Sequence, residues 1–448
     1  MSVSPARAVA FATIRRTFEQ DAFTDRALRA EAQSAGVQSG RDFGLATTLA
    51  FGTVQRRATL DYVITELTGR AIDRFDGRVL AALRLGLFQI LFLDRIPSHA
   101  AVDESVELAK PSHGAGLVNA VLRRAGREGP ALLDALGDET PQRAAVKHSV
   151  PLWLAQLWWD ELGAQGARDL LAVVNEPAEA ALRVNTLVAS ADEVAAELTA
   201  LGVASHEATG LPEGLVLDDA FDVHGSELWA RGAVMAQSRA SMLVARLVDP
   251  APGERVLDLC AAPGAKTTHL AALMEGEGEI VAVERHAGRA GSLVTTCARM
   301  QATIVGVEVS DAGRGRDSQK KFDRVLVDPP CSGLGTLQSR PDLRWRVTAE
   351  TVTALAGVQA QILTTAADAL APGGTLVYSV CTISAAEGAR QIDSLLAHNP
   401  ALSPDDLQAA APLWENGEMQ GPIRDFATMP HRHATDGFSI SRLRLSGG

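Results

Sequence analysis

Two cysteines and a carboxylate stand at positions in this chain where chemistry is possible. Asp328 and Cys331 lie in the run 322–335, FDRVLVDPPCSGLG. Val325, Leu326 and Val327 are apolar, two of them β-branched, which predicts a short buried strand. Pro329 and Pro330 cannot donate to a sheet ladder, so the strand stops at Asp328. Cys381 follows a second apolar run, Thr375–Val380. Thiols at two strand ends, beside an acid and Lys266, are candidates for activated nucleophiles rather than inert core cysteines. A thiolate with a carboxyl partner supports nucleophilic catalysis coupled to proton transfer. The pattern leaves open which cysteine attacks. No C-x-x-C pair is present, so thiol–disulfide chemistry is the weaker alternative.

These residues need a scaffold that gathers them. From about Ala236, strands are expected to alternate with helices, the signature of a mostly parallel sheet. The predicted strands are Arg255–Leu259, Glu279–Val283, Thr303–Val309, Arg324–Val327 and Thr375–Val380, with a helix over Thr267–Met274 after the first. Polar residues mark their ends: Asp258 and Cys260, Glu284, Asp311, Asp328 and Cys381. A parallel sheet collects such ends along one edge, where ligands bind. The loop Cys260-Ala261-Ala262-Pro263-Gly264-Ala265-Lys266 is neither G-x-G-x-x-G nor a Walker loop, because Ala265 replaces the required glycine. A phosphate cradle is therefore disfavoured. Glu284, 20 residues beyond Gly264, suits ribose hydroxyls, and Asp311 suits an adenine amino group. Ribose and adenine without pyrophosphate point to S-adenosylmethionine. The thiols then fit methylation at cytosine C5: a thiolate adds to C6, an acid sits beside N3, and a second group helps remove the C5 proton.

Composition sets the wider bounds. A chain of 448 residues, 46% hydrophobic and 21% charged, is expected to form two or three globular domains. Four dispersed cysteines, never as C-x-x-C, and ten histidines with no H-E-x-x-H or similar pairing form neither a disulfide framework nor a zinc set, so no metal is expected. The N-terminus lacks a secretory apolar core, and Glu19, Asp21 and Asp25 argue against a transit peptide. Leu80–Leu93, interrupted by Arg84 and Gln89, is too short to span a bilayer. A cytoplasmic monomer with no membrane association is expected. The net charge of −12 argues against non-specific coating of nucleic acid. The basic balance is local: residues 1–130 hold 17 Lys/Arg against 14 Asp/Glu.

Residues 1–130 show helical spacing, as in Leu80, Leu83, Leu87, Phe88 and Leu91, and predict an all-α bundle. Its Arg56, Arg57, Arg123 and Arg124 are candidates for phosphate contact. Gly, Pro and acids over 127–150 predict a linker. A helix is expected from Pro151, with Trp153, Leu157 and Trp158 in its core face. Strand Ala181–Leu187, a capping box at Ser190 and Glu193, and the run GLVLDD predict a small α/β subdomain, so residues 131–235 form a middle segment. Arg183 and Asn185 within it are candidates for an RNA path. Arg340, Arg344 and Arg346, with Gln338, follow the Cys331 loop and suit phosphate contact.

Two resemblances sharpen these expectations. FGTVQRR, LRLGLFQILFLDRIPSHAAVDESVELAK and GLVNAVLRR, within residues 5–126, resemble the NusB-like RNA-binding helical domain. VLDLCAAPGAKTTHLAALM, FDRVLVDPPCSGLGTLQSRPDLRW and LVYSVCTISAAEG resemble the two-cysteine RNA cytosine-5 methyltransferases. Taken whole, the chain resembles the bacterial 16S rRNA cytosine-5 methyltransferases of the Sun/Fmu type. The resemblance implies three parts: a NusB-like bundle, a small α/β subdomain, and a Rossmann-like α/β methyltransferase domain over 236–448. It implies S-adenosylmethionine as cofactor and small-subunit rRNA as partner. It implies that Cys381 is the nucleophile, that Cys331 assists release, and that Asp328 holds the cytosine with Lys266 nearby. Cys260 to Lys266, Glu284, Asp311 and Asp328 would line the cofactor site. The chain departs from the family at Val380, usually Thr, and at Ala265, usually Gly. Near the C-terminus, DGFSISRL from Asp436 predicts a final strand that closes the sheet. Alternatives from other classes are a non-catalytic RNA-binding protein, a methyltransferase acting on an exocyclic amine, and a tRNA rather than rRNA substrate.

Overall fold

The computed structural model describes residues 3–314, 321–405, 407 and 425–447. The chain forms two compact units, Met1–Pro177 with Leu337–Ala349, and Ala178–Thr336 with Glu350–Gly448. Among the described residues no helix is long and apolar enough to cross a membrane.

The first unit is helical: α1 (Pro5–Glu19), α2 (Thr24–Ser34), α3 (Gly40–Gln55), α4 (Arg57–Thr68), α5 (Gly77–Phe92), α6 (Ser98–Ala109), α7 (Ala115–Asp134), α8 (Pro141–Lys147) and α9 (Leu152–Val173). Leu49, Leu60, Ile64, Leu83, Leu87 and Leu122 are fully buried in one core. The two polar residues that interrupt the apolar run of α5 are buried and satisfied. Arg84 donates to both oxygens of Asp61 at 2.7 and 2.8 Å. Gln89 accepts from Arg7 at 2.6 Å and donates to the Leu85 carbonyl at 3.0 Å. Burial of such groups is tolerated only with partners of this kind.

The linker expected over 127–150 is largely helical instead, with irregular joints at 135–140 and 148–150. α7 continues through Pro130. The carbonyl that proline leaves without a partner belongs to Gly126, which is exposed and can be solvated. α8 then starts on a cap in which the Thr140 hydroxyl accepts from the Arg143 N–H, with Pro141 at the first helical position. Of the expected core residues of α9, Trp158 is fully buried while Trp153 and Leu157 are half-buried.

A second correction concerns the arginines after the Cys331 loop. Their segment, Leu337–Ala349, belongs to the first unit. Arg344 is fully buried. It donates to the carbonyls of Ser149, Val174 and Leu337 at 3.1 to 3.2 Å and to Asn175 Oδ1 at 2.7 Å. It is therefore no surface phosphate contact. Arg346 is held by Asp21 at 2.7 Å and lies 4.1 Å over the Phe23 ring. Arg340 alone of the three is exposed.

The second unit holds two sheets. The smaller contains β1 (Ala181–Val184), β2 (Ser205–Glu207), β3 (Gly214–Leu217) and β4 (Val234–Ala236), all antiparallel in the order β2-β3-β1-β4. Two helices accompany it, α10 (Ala191–Ala200), which starts on the Ser190–Glu193 capping box, and α11 (Glu227–Ala230). α12 (Arg239–Val248) leads to the larger sheet. There, β5 (Arg255–Leu259), α13 (Ala265–Leu273), β6 (Glu279–Glu284), α14 (Ala287–Arg299), β7 (Val305–Val309) and β8 (Phe322–Val327) follow in sequence. After a short helix α15 (Leu343–Arg346) come α16 (Ala349–Ala369), β9 (Leu370–Val380), α17 (Ala389–His398), β10 (Leu402–Pro404), β11 (Asp425–Thr428), a short α18 (Pro430–His433) and β12 (Phe438–Leu445). The order is β10-β12-β9-β8-β5-β6-β7, with β11 beside β12. β7, β6, β5, β8 and β9 are parallel. The predicted final strand exists as β12, antiparallel to β9, but it does not close the sheet, because β10 pairs on its other side.

Removing the Arg344 side chain leaves at least three buried carbonyls without their donor. Arg344→Ala is expected to destabilise the protein by about 3 kcal/mol. Chemical denaturation followed by tryptophan fluorescence checks this, and a loss below about 0.5 kcal/mol would contradict it.

Candidate active site

The site is built where β5, β6, β8 and β9 end. Their apolar residues fill two layers of core, with Val256, Ile280 and Leu326 on one face and Leu257, Val281 and Val325 on the other. Each strand then delivers one polar group to the same edge.

β5 leads into the loop that precedes α13. Cys260 takes a left-handed φ of 68°, a region that favours glycine, at the turn out of the strand. Gly264 has φ 105°, and a Cβ there would stand 2.7 Å from Leu293 Cδ1, so this position needs glycine. Asp258 is fully enclosed, and its Oδ2 accepts from Thr267 Oγ1 at 2.6 Å while Oδ1 has no partner among the described residues. Burial pushes the Asp258 carboxyl up to about 7, which the Thr267 hydrogen bond only partly opposes. Burial also pushes Cys260 up to about 12, so it remains a thiol. Arg183, a candidate for the RNA path, is instead fully buried and steadies this loop: it donates to Thr268 Oγ1 at 2.8 Å and to the Ala265 carbonyl at 3.3 Å. Asn185 is likewise buried, donating to the carbonyls of Gly232 and Met300.

Glu284 ends β6 almost fully buried, its Oε1 accepting from the His286 N–H at 2.9 Å. Asp311 lies two residues past β7 and accepts from the Gly313 N–H at 3.0 Å.

Asp328 ends β8 between two donors. Lys266 Nζ donates to its Oδ2 at 2.6 Å, and Ser379 Oγ to its Oδ1 at 3.0 Å. Burial opposes the Lys266 charge, but Asp328, and next Cys381, outweigh it and raise the ammonium above its ordinary value. The family threonine replaced by Val380 bears on this point. Val380 points into the apolar core, and the preceding residue, Ser379, carries the hydroxyl that reaches Asp328.

The two thiols meet. Cys331 Sγ and Cys381 Sγ are 3.3 Å apart, and neither cysteine is in a disulfide. The hydrogen bond with Cys381, then burial, then the charge of Cys381 raise the Cys331 thiol well above its ordinary value. Their approach is enforced from behind by a buried network absent from the sequence reading. Glu387 is fully buried. Its Oε1 accepts from the Ser332 N–H at 2.8 Å and from Gln359 Nε2 at 3.1 Å, and its Oε2 from Ser332 Oγ at 2.5 Å. Gln359 also donates to the Pro330 carbonyl, and Ser332 Oγ also meets Thr382 Oγ1 at 2.9 Å. The Tyr378 hydroxyl donates to the Glu387 carbonyl. One carboxylate thus binds the loop after Cys331 to the loop after Cys381. Gly335 completes the junction. Its N–H donates to the Cys381 carbonyl at 3.1 Å, and a Cβ there would lie 1.9 Å from the Gly437 carbonyl oxygen.

A mostly parallel sheet with acids at the ends of β5, β6 and β8, and paired thiols at its edge, defines a Rossmann-like methyltransferase domain. The comparisons with known proteins agree. Residues 245–444 match the family described as 16S rRNA methyltransferase RsmB/F, residues 4–127 match the NusB family, and residues 150–224 match the ferredoxin-like domain of RsmF/B-like methyltransferases. The chain is 34% identical to the probable ribosomal RNA small subunit methyltransferase B of Synechocystis, over 98% of this chain and 99% of that protein. It is 32% identical to its Bacillus subtilis counterpart over the full length of both. The crystal structure of PH0851 superposes with a TM-score of 0.81 at 27% identity, covering 99% of each chain. This chain belongs to the RsmB/F family of 16S rRNA methyltransferases.

Two outcomes follow from the buried carboxylates. Glu387→Ala strands the Ser332 and Gln359 donors and is expected to cost about 2–5 kcal/mol, with activity lowered at least about tenfold. Glu387→Gln is expected to be much milder, because the Ser332 hydroxyl can turn its proton to Thr382 and accept from the amide. Denaturation and turnover measured on both variants check this, and equal losses would contradict it. Asp258 has a folded pKa raised to about 7 from 3.8. Its contribution to stability is thus present below about 4 and is lost as pH rises through about 7. Asp258→Asn is expected to remove that slope from a stability–pH profile.

Proposed function

We propose that this methyltransferase makes 5-methylcytosine in small-subunit rRNA, with Cys381 as nucleophile, Cys331 as the releasing group and S-adenosylmethionine as cofactor. The observation that carries the proposal is the 3.3 Å contact of two thiols beside the Lys266–Asp328 pair. Methylation of an exocyclic amine needs no thiol and gives this contact no purpose.

The residues fit the cofactor. The edge offers acceptors, namely the Asp258 Oδ1 that lacks a partner, Glu284 and Asp311, and these suit hydroxyl, amino and cationic groups rather than phosphate. Cys260 to Lys266 would border the cofactor on the α13 side. S-adenosylmethionine, when bound, supplies an electrophilic methyl group.

The chain's own groups divide the remaining work. The raised Cys331 thiol keeps its proton and donates to the Cys381 sulfur, and the nearby Lys266 ammonium favours a thiolate at Cys381. The Cys381 thiolate adds to C6 of the cytosine. A proton shared between Lys266 and Asp328 balances the charge gained at N3, making C5 nucleophilic. After C5 carries the methyl group, the C5 proton passes to solvent water, the N3 proton returns to the Lys266–Asp328 pair, and Cys381 leaves as a thiolate that the Cys331 thiol stabilises by donating to it again. The target base must be unpaired or turned out of its stack to reach this edge.

Mass spectrometry of nucleosides from small-subunit rRNA lacking the modification, treated with enzyme and S-adenosylmethionine, tests the proposal. One 5-methylcytidine per RNA is expected, and at least about a 10³-fold loss of rate in Cys381→Ala. An amine-methylated nucleoside, or full activity in Cys381→Ala, would overturn it. Stoichiometric methylation of tRNA in place of rRNA would overturn the substrate assignment alone.

A further inference from the structure

The first unit contains a second concave site that this reaction does not use. A cavity of about 450 Å³ opens beside α4, walled by Arg57 and Asp61 of that helix, Trp153 near the start of α9, and Arg344 and Trp345 of the 337–349 segment. Its size lies within the range of about 300–1,000 Å³ common to small-ligand sites. The walls are aromatic and cationic at once. Trp345 is fixed by its indole N–H, which donates to the Val54 carbonyl at 2.8 Å. The Arg57 guanidinium lies 5.1 Å from the Trp345 ring centre and 5.0 Å from that of Phe18. Trp153 is half-buried, with part of its surface open.

The charges here do not cancel. Asp61 is already engaged by both arms of Arg84 at 2.7 and 2.8 Å, and Arg57 Nε stands 3.8 Å from it. Arg344 rests on carbonyl and amide oxygens, and its Nε, wholly buried, has no partner among the described residues. Two guanidinium groups, Arg57 and Arg84, therefore share the Asp61 carboxylate, while the acid that acts on Arg344 is Asp342. Burial, then the repulsion of Arg84, hold Arg57 below its ordinary value, and burial does the same to Arg344. An anionic group entering the cavity relieves this excess. Two indoles beside the cations add flat apolar surface, which a simple anion does not need and a nucleobase does.

We infer that this cavity receives one unpaired nucleotide of the RNA substrate, its base against the indoles of Trp153 and Trp345 and its phosphate toward Arg57. The inference rests on the rRNA reading above and adds an anchor in the first unit. Because stacking tolerates any base, the anchor selects unpaired backbone rather than sequence.

Fluorescence anisotropy with the full-length protein and a labelled single-stranded RNA tests this, using Arg57→Gln and Trp153→Leu. Each is expected to weaken binding by roughly five- to fiftyfold. Arg57→Gln should also flatten the salt dependence by about one counterion. Truncating an indole can loosen α9, so a second readout uses the unaltered protein. Photocrosslinking of RNA carrying 4-thiouridine is expected to label peptides spanning 151–159 or 344–348. Wild-type binding that both variants retain, with crosslinks only elsewhere, would overturn the anchor and leave the methyltransferase reading intact. Failure of the unaltered protein to bind any RNA would overturn both.

Discussion

The distance between two sulfur atoms in this enzyme is set by a carboxylate that touches neither. Among the described residues Glu387 is buried without a cationic partner and is satisfied instead by neutral donors from Ser332 and Gln359. An unmet carboxylate at that depth would cost several kcal/mol, so the donors must stay in place. Ser332 directly follows Cys331, and Glu387 follows Cys381 by six residues. Satisfying the acid therefore fixes both loops, and the thiols meet at 3.3 Å as a consequence. A site assembled from loops gains the precision of a packed core. Asp328 is treated alike, held between Lys266 and Ser379 so that each oxygen has its donor.

Much of the second unit is legible in the sequence because interior parallel strands leave a strong signal. They read as short apolar runs that stop abruptly, and what stops them is functional. Arg255–Leu259 forms the strand expected of it, and Glu284, Asp311, Asp328 and Cys381 fall at or just beyond strand ends as read. Boundaries are less exposed to such inference. Pro372, Gly373 and Gly374 are residue types that ordinarily make a turn, yet β9 begins at Leu370 and absorbs them. The positive φ of Gly373 and the register shift opposite Phe322 and Arg324 show how. Of the region between Pro404 and Asp425, only Asp405 and Leu407 lie among the described residues.

What stays hidden depends on partners chosen in three dimensions. Nothing in the spacing of Arg344 separates a surface arginine from one buried on backbone carbonyls. Its segment returns to the first unit, and that decides the matter. Arg183 and Asn185 are hidden in the same way, as polar residues that hold a loop and a helix end together. Glu387 is the instructive case, since one acid among small residues carries no local mark. A signal did exist for Ser379. Alternation along β9 puts it on the opposite face from Val380, so a hydroxyl lost at one position is recovered at its neighbour.

The central claim is that the paired thiols divide attack and release. Trapping the covalent RNA adduct tests it most directly. Cys331→Ala and the double variant Cys331→Ala/Cys381→Ala are each incubated with S-adenosylmethionine and undermodified small-subunit rRNA, then resolved on a denaturing gel. The account predicts a slow-migrating protein–RNA band in the single variant and none in the double. A band that persists without Cys381, or its absence from both, would contradict the two-thiol mechanism.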